Sequence, residues 1–109
     1  MSPTIRSLVI PVSDLGAAKA VYNALLVSPH TDEPYYVGYT VDGFEVALNP
    51  SGGGQGPVVF ADVDDLDATR ATLLGAGATE RDAPHQVAPQ TRVCVLVDPD
   101  GNPLGLRGR

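Results

Sequence analysis

The sequence predicts an α+β fold in which one βαβββ module is used twice. Three observations predict it. Val12-Ser13-Asp14-Leu15-Gly16-Ala17 matches Val63-Asp64-Asp65-Leu66-Asp67-Ala68 at an offset of 51 residues. Asp42-Gly43-Phe44-Glu45-Val46-Ala47-Leu48 matches Asp100-Gly101-Asn102-Pro103-Leu104-Gly105-Leu106 at an offset of 58. In each half the Asp-Leu pair opens a segment of helical periodicity and the Asp-Gly pair closes a hairpin, so the same order of elements occurs twice. The third observation is the chain's last hairpin, where Asp98-Pro99-Asp100-Gly101-Asn102 joins two apolar runs.

The elements follow in order. Ile5 to Val12 reads as a strand, with Leu8, Ile10 and Val12 on one face and Ser7, Val9 and Pro11 on the other. Ser13-Asp14 supplies N-caps for a helix from Leu15 to Leu26, whose Leu15, Ala18, Val21, Tyr22, Leu25 and Leu26 fall at helical spacing. Pro29, Asp32 and Pro34 break it. Tyr35 to Val41 and Phe44 to Leu48 are strands meeting at Asp42-Gly43. Asn49 to Pro57 is Gly-rich and reads as a flexible link, which places module one at 1–50, a linker at 51–56 and module two at 57–109 within a single domain.

Module two restarts with a strand from Val58 to Val63 and an Asp64-Asp65 cap on a helix from Leu66 to about Leu74, ended by Gly75 and Gly77. Ala78 to Arg81 reads as a short strand and Asp82 to Thr91 as a Pro-containing loop. Arg92 to Val97 is β-branched and apolar. In the turn that follows, Pro99 presets φ, the aspartates can accept backbone N–H bonds, and Gly101 can take φ > 0. Leu104 and Leu106 alternate with small residues on the returning strand.

Composition excludes several function classes. The net charge is −6 and the seven Lys and Arg are scattered, so no basic patch exists to release phosphate counterions. Nucleic acid and anionic membrane surfaces are therefore not expected partners. Cys94 is the only cysteine, so no internal disulfide forms. No apolar run reaches the length of a membrane span, and a soluble cytoplasmic protein is expected. The richness in Ala, Gly, Val, Asp and Pro is that of a GC-rich bacterial genome.

A twofold βαβββ chain ending in DPDGN and a short alternating strand resembles the glyoxalase / bleomycin-resistance / extradiol-dioxygenase group, the vicinal oxygen chelate superfamily, over nearly its whole span. The resemblance implies a curved, barrel-like mixed sheet with helices outside and a cavity within. It also implies a homodimer, since family members commonly pair two chains. Metal-dependent members place a His, Gln or Glu on the first and last strand of each module. The matching positions here are Ser7 and Ala47 in module one, and Val58 and Gly105 in module two. Three of these side chains lack a donor atom and a lone serine hydroxyl is a poor ligand. The resemblance then points to a metal-free branch, with no metal and no cofactor.

Period-two alternation gives the cavity-facing residues. They are Ser7 and Val9 on the first strand, Glu45, Ala47 and Asn49 on the last strand of module one, Phe60 on the first strand of module two, and Gly105 and Arg107 on its last. Tyr36 and Tyr39 join them from the intervening strand as stacking faces. Such a lining suits a small, partly aromatic, neutral or cationic molecule; the competing reading is a cavity filled by these same side chains. Glu45 and Asp62 are the candidate general bases of an alternative reading, a lyase, an isomerase or a dioxygenase-type enzyme with unusual residues. His30 and His85 read as surface histidines, and the acids from Asp62 to Asp67 as helix-start residues rather than a calcium loop.

Overall fold

The computed structural model describes residues 3–50 and 56–109. The linker expected at 51–56 therefore lies, apart from Gly56, outside the described residues. The chain divides into two compact units, whose main segments are Arg6–Val58 and Val59–Arg109. Each carries a βαβββ module, and the fold is α+β.

Module one runs β1 (Thr4–Pro11), α1 (Leu15–Leu26), β2 (Thr31–Glu33), β3 (Tyr36–Val41) and β4 (Phe44–Asn49), with strand order β2-β3-β4-β1. Asp14 caps α1 by accepting from the Ala17 N–H at 3.0 Å. Asp42 and Gly43 take φ of 51° and 80°, the two positive values that match a two-residue turn to strand twist. Val37, Tyr39 and Leu48 are buried beneath Ile10, Leu15, Ala18, Tyr22 and Leu26, so the core lies between α1 and one face of the sheet.

Module two runs β5 (Val58–Asp62), α2 (Leu66–Gly75), β6 (Thr79–Ala88), β7 (Thr91–Val97) and β8 (Pro103–Gly108), ordered β5-β8-β7-β6. Asp65 repeats the cap, accepting from Ala68 N–H at 3.0 Å. Ala61, Leu66, Cys94, Leu96 and Leu106 form the corresponding core. Arg92 grips Asp67 through both terminal nitrogens, at 2.9 and 3.2 Å, and Arg70 pairs with Glu80. These pairs tie α2 to β7 and β6.

The duplication reappears in the strand registers. Leu8 lies opposite Val46 in the parallel β1–β4 pair, and Val59 opposite Leu104 in the β5–β8 pair. These positions differ by the same 51 and 58 residues as the sequence repeat.

Two expectations need correction. Thr31–Glu33, inside the stretch read as a break, is a short strand paired with β3. Its three residues are too few to show alternation. Asp82 to Thr91, read as a loop, belongs largely to the ten-residue β6. That strand sits at the sheet edge, where Pro84 loses no ladder bond, and its pairing shifts between Asp82 and His85.

Candidate functional site

Each half-sheet turns one face to its helix and leaves the other without one. The register fixes which side chains share the open face. In module one Ser7 lies opposite Glu45, Val9 opposite Ala47 and Pro11 opposite Asn49. Ala47 in turn lies opposite Gly38, and Gly38 opposite Thr31. Val9, Ala47 and Gly38 thus form a row of small side chains across three strands. Ser7 and Glu45 flank it on one side, Pro11 and Asn49 on the other. Tyr36, two residues from Gly38, projects on the same face.

The backbone at Gly38 is where aromatic groups gather. A Cβ there would come within 2.9 Å of Tyr36 Cε2 and 3.0 Å of His30 Cε1 and Nε2. The two rings therefore lie over bare backbone, and a side chain at position 38 would push them aside. The His30 N–H donates to Gly38 O at 2.9 Å, which holds the loop to β3. Its Nδ1 is 2.8 Å from Thr31 Oγ1, and its Nε2 is 3.6 Å from Glu45 Oε1. Both side chains stay partly open to water, at 40% and 33%. His30 is the functional candidate that sequence reasoning set aside. Its partner is fifteen residues away in the sequence, and only the β2–β3–β4 pairing brings the two together.

Tyr39 is not on this face. Its side chain is fully buried against α1, its hydroxyl donates to Asn23 Oδ1 at 2.7 Å, and its ring lies 6.5 Å from that of Tyr22. The expectation that it stacks on a ligand is corrected. Tyr36 and Tyr39 differ by an odd number of residues, so one strand cannot turn both to the same side.

In module two Phe60 lies opposite Gly105 and Asp62 opposite Arg107. The Phe60 ring covers the Gly105 backbone, since a Cβ at Gly105 would collide with Phe60 Cδ2. Asp62 and Arg107 line a cleft of about 270 Å³ at the end of the sheet, together with Asp64, Gln90, Thr91 and Arg109. Asp67, by contrast, is committed to Arg92, whose hydrogen bonds hold its carboxyl below the usual carboxylate range. Burial pushes the Cys94 thiol up, the opposite of what a nucleophile requires.

In neither module do the positions that match metal ligands fit a divalent metal. Ser7, Ala47, Val58 and Gly105 supply a single hydroxyl, and the Phe60 ring occupies the space into which a donor at 105 would project. Among the described residues no three His, Cys, Asp or Glu side chains converge. Among the same residues, no helix is long and apolar enough to cross a membrane.

Known proteins can be set beside this geometry. The family model of the glyoxalase-like domain matches residues 7–106. Solved structures share the fold at low sequence identity. The NAD-dependent benzaldehyde dehydrogenase of Legionella pneumophila matches with a TM-score of 0.77 at 17% identity, covering 93% of this chain and 96% of that one. A glyoxalase/bleomycin resistance protein/dioxygenase superfamily member from Vibrio splendidus 12B01 matches with a TM-score of 0.70 at 15% identity, over 97% of both chains. Methylmalonyl-CoA epimerase of Mycobacterium tuberculosis matches with a TM-score of 0.63 at 19% identity, over 95% of this chain and 86% of that one. No functionally curated relative matches. With the family model spanning both modules and the repeat reproduced strand by strand, the chain belongs to the glyoxalase-like domain family.

Proposed function

We propose that this protein binds a small, partly aromatic, neutral or cationic molecule on its open sheet faces without a metal ion. The observation that carries this reading is the floor of Val9, Ala47 and Gly38, flanked by Ser7, Glu45, Asn49 and Tyr36, on a face that no helix of its own unit covers. Ala47 and Gly38 are buried beneath their neighbours, and the partly exposed groups that flank them supply one ring and several polar contacts, the usual makeup of a ligand site. Phe60 over Gly105 offers a second ring in module two. The net charge of −6 disfavours an anionic ligand.

The test is a thermal-shift screen of neutral and cationic aromatic natural products, with acidic metabolites as the control. A ligand at a hundredfold excess over its Kd adds about 2.7 kcal/mol of stability. A set of neutral and cationic hits, unchanged by chelator and weakened by Tyr36→Ala, supports the reading. Absence of any such shift, or near-stoichiometric metal lost on mutating an open-face residue, overturns it.

The His30–Glu45 pair favours a second reading, a lyase or isomerase in which one of the two moves a proton. Turnover lost in both His30→Gln and Glu45→Gln, with folding intact, would select it. For assembly we propose a cytoplasmic homodimer, supported by the exposed Val21 and Leu25 on the outer side of α1. Light scattering that gives a monomer at micromolar concentration counts against it.

A further inference from the structure

We propose that Glu45, Tyr36 and His30 form a subsite for an organic ammonium group, and that His30 regulates it by competing for the Glu45 carboxylate. The inference rests on reading the module-one face as a binding surface. Three features meet there. The Glu45 carboxylate supplies a partly desolvated negative charge, 33% exposed. The Tyr36 and His30 rings stand over the bare backbone of Gly38. Beside Gly38 in the register lies Ala47, itself fully buried, so an ammonium group would seat against the partly exposed Glu45 and His30 side chains above that row. A carboxylate beside aromatic faces above a small-residue floor is the chemistry that recognises an ammonium head, through charge and cation–π attraction together. A carboxylate or phosphate ligand would meet Glu45 with like charge.

The competition follows from the two ring nitrogens. When the imidazole is protonated, both carry hydrogen. Nδ1–H then faces Thr31 Oγ1 at 2.8 Å and Nε2–H faces Glu45 Oε1 at 3.6 Å. The ring is then an internal cation at the place where the ligand's charge would sit. A neutral ring frees the carboxylate and keeps its aromatic face. The other groups on this face leave His30 in control. By alternation β2 contributes Glu33, β3 contributes Tyr36 and Thr40, and β1 contributes Ser7, Val9 and Pro11. Lys19 is engaged with Asp32 at 3.1 Å, on the helix side of the sheet.

The test is an NMR titration of the whole chain with benzyltrimethylammonium, whose charge is fixed, and with benzyl alcohol as its neutral counterpart. It is run at about pH 5.5 and about pH 8, either side of ordinary imidazole titration. The expected result is Glu45 and Tyr36 shifts that saturate, with a Kd several-fold weaker at the lower pH. His30→Gln should bind equally at both pH values, and more weakly than the unsubstituted protein at the higher one because the ring's face is lost. Glu45→Gln should lose the ammonium probe at both. Binding that depends on Glu45 but not on pH overturns the competition and leaves the subsite. Equal binding of benzyl alcohol at the same residues overturns the ammonium preference and leaves the small-molecule reading. No saturable shift of Glu45 or Tyr36 with millimolar probe, or a response unchanged in Glu45→Gln, overturns the subsite itself.

Discussion

Tyr36 and Tyr39 lie three residues apart on one strand and should respond oppositely to substitution. Tyr39→Phe removes only a hydroxyl, but that hydroxyl donates to Asn23 Oδ1 at 2.7 Å inside the α1 core. One such bond is worth about 1 kcal/mol net, and its loss should lower Tm by about 4 °C in a domain of this size. Tyr39→Ala adds a cavity beneath α1. It should cost ~3–5 kcal/mol, a large share of a typical ~5–15 kcal/mol total. Tyr36→Ala should cost about 1 kcal/mol, the ordinary price of a single substitution, because the ring is only half-buried on the open face. Ligand affinity should show the reverse order. Urea unfolding at constant m measures the first set, and titration with any hit of the thermal screen measures the second. Tyr36→Ala as damaging to stability as Tyr39→Ala, or a Tyr39→Phe without cost, would mean that the two faces have been assigned the wrong way round. Burial, with the Asp32 carboxylate adding to it, pushes the Tyr39 phenol up. A raised acid favours the neutral form in the fold. Its contribution is therefore complete below the free tyrosine value of about 10 and is lost as pH rises through the folded value. The alkaline fall in Tm should be shallower in Tyr39→Phe.

The remaining predictions concern single residues. Gly105→Ala should cost about 1–3 kcal/mol, because its Cβ drives into the Phe60 ring, and Phe60→Ala should erase most of that penalty in a double-mutant cycle; additive costs would show that the ring does not lie on Gly105. Cys94 is buried and its thiol is pushed up, so a thiol reagent should label it only as fast as the protein unfolds. Rapid labelling of native protein would contradict its burial. Asp98 Oδ1 accepts from the N–H of Asp100 and of Asn102, and the Asn102 side chain above all holds its carboxyl below the usual range. The stability it contributes is present above the free carboxylate value of about 3.9 and is lost as pH falls through the folded value, so Asp98→Asn should flatten the acid limb of a Tm–pH curve. Val27 takes φ of 75° while 77% exposed, a strained conformation for a β-branched residue. Val27→Gly should relieve it and raise stability by about 1 kcal/mol, and an unchanged or lowered Tm would refute the strain.

The sequence alone determined the module and its repetition. Asp14-Leu15 with Asp65-Leu66, and Asp42-Gly43 with Asp100-Gly101, act through nearest neighbours, by capping an N–H three residues on or by admitting a positive φ. Those effects are legible without knowing where the rest of the chain lies. Alternation likewise put Ser7, Val9, Glu45, Ala47, Phe60 and Gly105 on the side of the sheet away from the helices, because each sits on a strand whose phase is anchored by its own buried neighbours. What tertiary structure decided is everything that depends on a partner distant in sequence. The edge position of β6 is a property of the sheet, and it let a Pro-containing stretch remain a strand. The phase of β3 was settled by the packing of Tyr39 against α1, since tyrosine is stable on either side of a sheet. The His30–Glu45 pair needed a loop residue to be carried across two strand pairings onto a floor cleared by Gly38. Local rules place backbone turns and faces; only long-range pairing brings an imidazole to a carboxylate.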